Sequence, residues 1–175
     1  MRNEDANVTF KWIWKTCCLP KHKFFCWLLL HDRINTCDLL TRKNMHLDST
    51  HCVLCNAEDM EDRMHLLFSC PFSQGFWWNI GFEWNIDLNI HDMIIEAHQR
   101  YHLQHFMEIM IVGCWSIWNQ RNSLIFDGIP CSINDIYDFI RSFKITMLRA
   151  KPSLKEGMSS WIDNIYLFFI SLYVI

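Results

Sequence analysis

Only five glycines and four prolines punctuate the 175 residues, too few for the many tight turns of an all-β domain. No apolar run reaches the ~18 residues that a membrane-spanning helix needs. The opening "MRNEDANVTF" carries charges and no apolar stretch, so it does not read as a secretory signal. These absences predict an intracellular protein, nuclear or cytoplasmic. In a reducing compartment the nine cysteines, an odd number, do not read as a disulfide framework; they are core residues or metal ligands. What is abundant is apolar mass. With 51% hydrophobic residues, nine Trp and 13 Phe, the chain can bury one sizeable core, or one core with a small satellite.

The net charge of −3 conceals a polarised distribution. Residues 10–43 hold seven Lys/Arg against two Asp, giving +5, whereas residues 44–100 hold two Arg against nine acids, giving −7. Residues 101–175 balance six against six, and residues 1–9 hold one Arg against two acids. Only the 10–43 segment offers an electrostatic footprint to a phosphate backbone.

Helical periodicity dominates. "PKHKFFCWLLLHDR" opens on Pro20 and sets Phe24, Phe25, Trp27, Leu28 and Leu29 on a broad apolar face, predicting a helix from about Lys21 to Asp32. "NTCDLLTRKN" predicts a short second helix, with Thr36 as N-cap, Asp38 in the first turn and Arg42 and Lys43 near the end. In "PFSQGFWWNIGF", Phe72, Phe76, Trp77 and Ile80 fall at helical spacings. A long periodic segment runs from about Leu103 to Phe126 and stops at "DGIP", and a further helix runs from about Ile133 to Ala150 behind a Ser132 cap. There is no internal repeat and no low-complexity linker.

Between these segments lies "HCVLCNAEDMEDRMHLLFSC", in which Cys52, Cys55, His65 and Cys70 read as C-x2-C-x9-H-x4-C. A structural zinc takes four N/S donors in a tetrahedron, and a C-x2-C turn brings two thiolates to one point. His65 and Cys70 are five apart, which on a continuous helix would separate them by about 140°. Pro71 disfavours the α conformation at Cys70, so a short helix starting near His65 is expected to end by Ser69 and let Cys70 turn back to the metal. His51 is the nearest rival ligand, with His46 and Cys37 more remote. Four ligands close the shell, so the expected zinc is single and structural, leaving no position for a catalytic water. The expected fold is all-α, a small helical domain with one structural zinc-stapled loop.

With its flanks, this stretch resembles the zinc-binding module of plant non-LTR (LINE-type) retroelement reverse transcriptases, the reverse transcriptase zinc-binding domain. The positions that carry the resemblance are Trp14-Lys15, Pro20-Lys21, Phe24-Phe25, Trp27, Arg33, Thr36, Leu39, the Cys52/Cys55 pair, Glu61, His65-Leu66, Cys70-Pro71 and Trp77 or Trp78, spanning about residues 12–81. "WSIWNQRNSLIF", Trp115 to Phe126, is similar to the segment that follows this module before a ribonuclease H domain. The spacer between the metal pairs is longer than usual in the family. Asp62 and Met64 stand where Thr-type and acidic residues are usual. The resemblance implies three regions: a zinc-binding module at 10–90, a helical extension at 91–160 preceding a missing ribonuclease H domain, and an apolar tail at 161–175.

The activity expected is non-catalytic. Polymerase chemistry places two metal ions on paired carboxylates, and no Tyr-x-Asp-Asp turn occurs in the sequence; the acidic pairs Glu4-Asp5, Glu58-Asp59 and Glu61-Asp62 are expected to be solvated loop residues. The resemblance implies a retroelement-derived module that assists RNA or DNA binding in its parent protein. Lys15, Lys21, Lys23 and Arg33, interleaved with Trp12, Trp14 and Trp27, are the candidate contacts. The other reading is a connector that docks onto the reverse transcriptase and ribonuclease H domains of the parent element without touching nucleic acid. Arg121, near the end of the long amphipathic segment, is expected to complement the helix C-terminus. The tail "IYLFFISLYVI" is too short to span a membrane.

Overall fold

Helix α6, Phe106–Asn122, is the axis of the molecule. Every residue from Phe106 to Cys114 is buried, as expected of a helix that is apolar on all sides. The computed structural model describes residues 2–55, 58, 60–131 and 134–173. Among these, seven further α-helices surround or flank α6: α1 (Arg2–Lys15), α2 (Pro20–Leu30), α3 (Cys37–Arg42), α4 (Pro71–Asn79), α5 (Ile90–Tyr101), α7 (Asn134–Leu148) and α8 (Pro152–Tyr173). Two single-turn π segments, His65–Ser69 and Ser123–Asp127, complete the regular structure. No strand occurs among the described residues. Among the same residues, the one β-like feature is an isolated antiparallel bridge between His51 and Met60.

The elements begin and end for local reasons. Pro20 occupies the first turn of α2, where its missing N–H costs nothing. The Thr36 side chain accepts from the Leu39 N–H, which confirms the expected cap of α3. Asn89 caps α5 by accepting from the N–H groups of His91 and Asp92. The long segment expected from Leu103 to Phe126 is α6 continued by the second π turn. It ends at Gly128, whose φ of +65° is the left-handed conformation that glycine adopts without penalty. The expected Ser132 cap of α7 lies outside the described residues. Glu4 and Asp5, expected in a loop, lie instead in α1.

α2, α7, α1 and α5 all pack on α6, and so does the first π segment. One continuous cluster of buried side chains runs from Ile13 through Leu29, Phe68, Trp77, Ile94, Met110 and Phe143 to Ile165. The closest approach is at Gly113. A Cβ built there would lie 2.7 Å from Cζ3 of Trp77, so the indole of α4 lies directly on the α6 backbone. This contact and the packing of Leu66, Leu67 and Phe68 bring the cysteine stretch against the core.

Candidate metal centre

Two chain segments deliver the four donors. Cys52 and Cys55 lie on a turn that follows the His51–Met60 bridge, and the Glu61 N–H donates to the Thr50 carbonyl at 2.9 Å to close the base of that loop. His65 opens the first π segment. Asp62 starts this helix, its carboxylate accepting from the His65 N–H at 2.6 Å and its carbonyl from the Leu66 N–H. Asp62 thus caps the turn through its side chain. Cys70 has φ −58° and ψ 134°, an extended conformation, and its N–H donates to the His65 carbonyl at 2.7 Å. The helix stops at Ser69 and Cys70 turns back, as Pro71 requires.

The π turn displaces carbonyls from the usual i→i+4 pattern, and α4 collects them. Ser73 Oγ donates to the Leu66 carbonyl at 2.5 Å, and the Trp77 indole N–H donates to the Leu67 carbonyl at 2.7 Å. Buried carbonyls are thereby paired rather than orphaned, and His65 and Cys70 are held on a framed turn.

The donor atoms of Cys52, Cys55, His65 and Cys70 all lie within 4.8 Å of one another. The Cys52 and Cys70 sulfurs are 3.8 Å apart, and Cys55 Sγ is 3.4 Å from His65 Nε2. Zn–S bonds of ~2.3 Å at tetrahedral angles imply S···S edges of about 3.8 Å. The geometry and the donor chemistry both fit Zn2+, and the four residues form a single candidate zinc site. Three thiolates and a neutral imidazole would give the filled site a charge of −1. The hydrogen bond between Cys52 and Cys70 raises the first thiol and, as its largest influence, lowers the second; burial raises both. Protons compete with metal for the pair, so affinity falls in acid. The rivals lie outside the cluster. His51 is exposed on the bridge, His46 is exposed, and Cys37 is buried beside Glu61.

Residues 1–77 match the family described as zinc-binding in reverse transcriptase. All four donors fall within that match. No curated protein and no solved structure matches the chain.

Glu61 corrects an expectation. It is fully buried, and Arg121 Nη2 donates to its Oε1 at 2.6 Å, with Nε at 3.2 Å from Oε2. The Cys37 N–H donates to the same carboxylate at 3.3 Å. Glu61 is therefore not a solvated loop acid, and Arg121, in the last turn of α6 as expected, is also the partner of a buried carboxylate. Together they lock the zinc loop, α3 and α6. The sequence did hold a signal: Arg121 continues the buried stripe Met110, Cys114, Ile117 at spacings of four, three and four. A second clamp, also unforeseen, is Arg63. Its Nη1 donates to the carbonyls of Leu29 and Leu30 at the end of α2, and its Nε lies 3.4 Å from Asp32.

The candidate nucleic-acid contacts are spread along one end-to-end path. Lys15 is exposed at the end of α1. Lys21 is exposed, with its ammonium 5.2 Å above the ring of Trp115. Lys23 is half-buried and donates to the carbonyls of Thr16 at 2.5 Å and Trp14 at 3.3 Å, so its charge caps the end of α1. Arg33 is exposed beyond the other end of α2, about one 11-residue helix, or ~16 Å, from Lys21. Of the interleaved tryptophans, Trp12 stacks on His98 and Trp27 packs against Phe24 and His31, while Trp14 is 54% exposed. Among the described residues, no helix is long and apolar enough to cross a membrane.

Proposed function

We propose that the chain is a non-catalytic zinc-binding module of a plant non-LTR retroelement reverse transcriptase that assists RNA or DNA binding in its parent protein. The observation that carries this reading is the closed Cys3His donor shell within a segment matching the reverse transcriptase zinc-binding family. In it, the 10–90 module and the 91–160 extension share one core, and zinc supplies order to a loop rather than chemistry. Nucleic acid meets the face around the α1–α2 junction, where Lys15, Lys21 and the exposed rings of Trp14 and Phe24 combine cations with stacking surfaces.

The test is a salt series of binding to single-stranded RNA and DNA. Replacing Lys15, Lys21 and Arg33 together by Ala is expected to lower the slope of log affinity against log salt by about two. Lys23 is left in place because it caps α1. An unchanged slope would remove this face from the reading. The connector reading is favoured by large apolar residues left exposed after α6 and at the end of α7, with Phe126 at 76% and Leu148 at 73% exposure. It predicts binding to the parent polymerase or nuclease domains with little salt dependence.

A further inference from the structure

Beside the π turn that carries Phe68, α4 and the loop after it line a cavity of about 490 Å3. This is the size of a small-ligand pocket. It is lined by Phe68, Trp77, Trp78, Phe82 and Trp84 together with Gln74, Gly75 and the exposed Glu83. The aromatic rings divide into two sets. Phe68, Trp77 and Phe82 are buried and interlocked, with Trp84 meeting Phe68 edge to face at 5.0 Å and Trp77 at 5.1 Å. They form a rigid floor. Trp78 instead is 62% exposed, and among the described residues no ring packs on it. Its indole lines the cavity and is free to meet a ligand there.

The charge around the cavity selects the ligand class. No basic side chain lines it, and the stretch from Glu83 to Asp92, running into the first turn of α5, carries three acids and no Lys or Arg. Arg100, which reaches the backbone of Glu83, is already engaged. It donates to the Glu83 carbonyl at 2.7 Å and pairs with Glu96 at 3.2 Å. A nucleotide would bring phosphate into this acidic surrounding, within a segment of charge −7. An organic cation meets ring faces, whose quadrupoles attract it, and a carboxylate. A methylated ammonium fits best, because it has no N–H donors that require partners and can exchange water for aromatic surface.

We propose that this cavity binds a methylated ammonium group, with Trp78 and Trp84 as ring contacts and Glu83 as the countercharge. The group can come from a free quaternary amine or from a trimethylated lysine in a peptide, and the cavity presents the same chemistry to both.

The experiment follows the tryptophan indole N–H resonances of the zinc-loaded full chain by NMR. Choline, its neutral carbon isostere 3,3-dimethylbutanol, a trimethyllysine peptide and the unmodified peptide are each titrated. Choline is expected to shift the Trp78 and Trp84 indoles, with the isostere at least about tenfold weaker. Trp78→Ala should abolish the response and Glu83→Gln should weaken it several-fold. Both residues are exposed, so neither change threatens the fold. A trimethyllysine peptide that binds much more tightly than choline and than the unmodified peptide identifies a protein side chain as the source. Equal binding of choline and peptide identifies the free amine. Equal binding of choline and dimethylbutanol, a response that survives Trp78→Ala, or tighter binding of guanosine monophosphate than of choline would each overturn the proposal.

Discussion

The carboxylate of Glu61 and the guanidinium of Arg121, 60 residues apart, meet at 2.6 Å with both side chains buried. Removing one partner leaves the other charge without compensation in the interior, a loss of about 3–5 kcal/mol. Arg121→Met is therefore expected to lower stability by that amount in urea unfolding. The double variant Arg121→Met with Glu61→Gln should recover part of the loss, because the amide can still accept from the Cys37 N–H and no charge is stranded. A double variant as unstable as the single one would show that the pair is not coupled.

Metal removal should loosen only part of the cysteine stretch. Leu66, Leu67 and Phe68 are buried in the core, and Glu61 and Arg63 are clamped to α6 and α2. Residues 44–51 are, by contrast, mostly exposed. Cys70→Ser is expected to reduce zinc from one per chain to none and to open residues 44–60 to protease, with cleavage absent from 61–72. His51→Ala should keep its zinc. Zinc retained by Cys70→Ser, or lost from His51→Ala, would assign the ligands differently.

Gly113 has no space for a side chain. A methyl group there would press into the six-membered ring of the Trp77 indole, and overpacking of this kind costs about 1–3 kcal/mol. Gly113→Ala should lower the midpoint of thermal unfolding. Trp77→Phe removes the ring atoms in question, so the two changes together should destabilise by less than the sum of their separate effects. Strict additivity would place the strain elsewhere.

Stability should decline in acid partly through His22. Burial, with a smaller contribution from Lys21, pushes its pKa down to about 4, and its Nδ1 has no hydrogen-bond partner. The neutral ring is the folded form. Its contribution is fully present above the unfolded value of ~6.5 and is lost as pH falls towards 4, because the unfolded chain takes up the proton first. The full difference amounts to about 3 kcal/mol. His22→Phe should flatten the stability profile between pH 6.5 and 4 relative to the parent chain, while the acid release of zinc remains in both. Parallel profiles would show that His22 titrates normally.

Local chemistry was legible in the sequence by itself. Pro71 dictates an extended Cys70, since a proline ring clashes with an α conformation at the preceding residue, and that one steric fact aims the fourth ligand. Thr36 and Gly128 likewise mark the ends of their helices through groups that act within one turn. Helix α5 is equally readable, from the Asn89 cap and the spacing of Ile90, Met93, Ile94 and Ala97. The pairings across the core were decided only by the tertiary structure. Whether Glu61 is a solvated acid or half of a buried ion pair depends on where α6 passes, 60 residues later, and no local rule carries that information. Lys23 shows the same limit: in sequence it is one more cation of a basic run, and in the fold the chain reversal at Pro20 sets its ammonium on the carbonyls of α1. Backbone sterics act between neighbours in sequence, whereas the desolvation that forces charges to pair acts between neighbours in space.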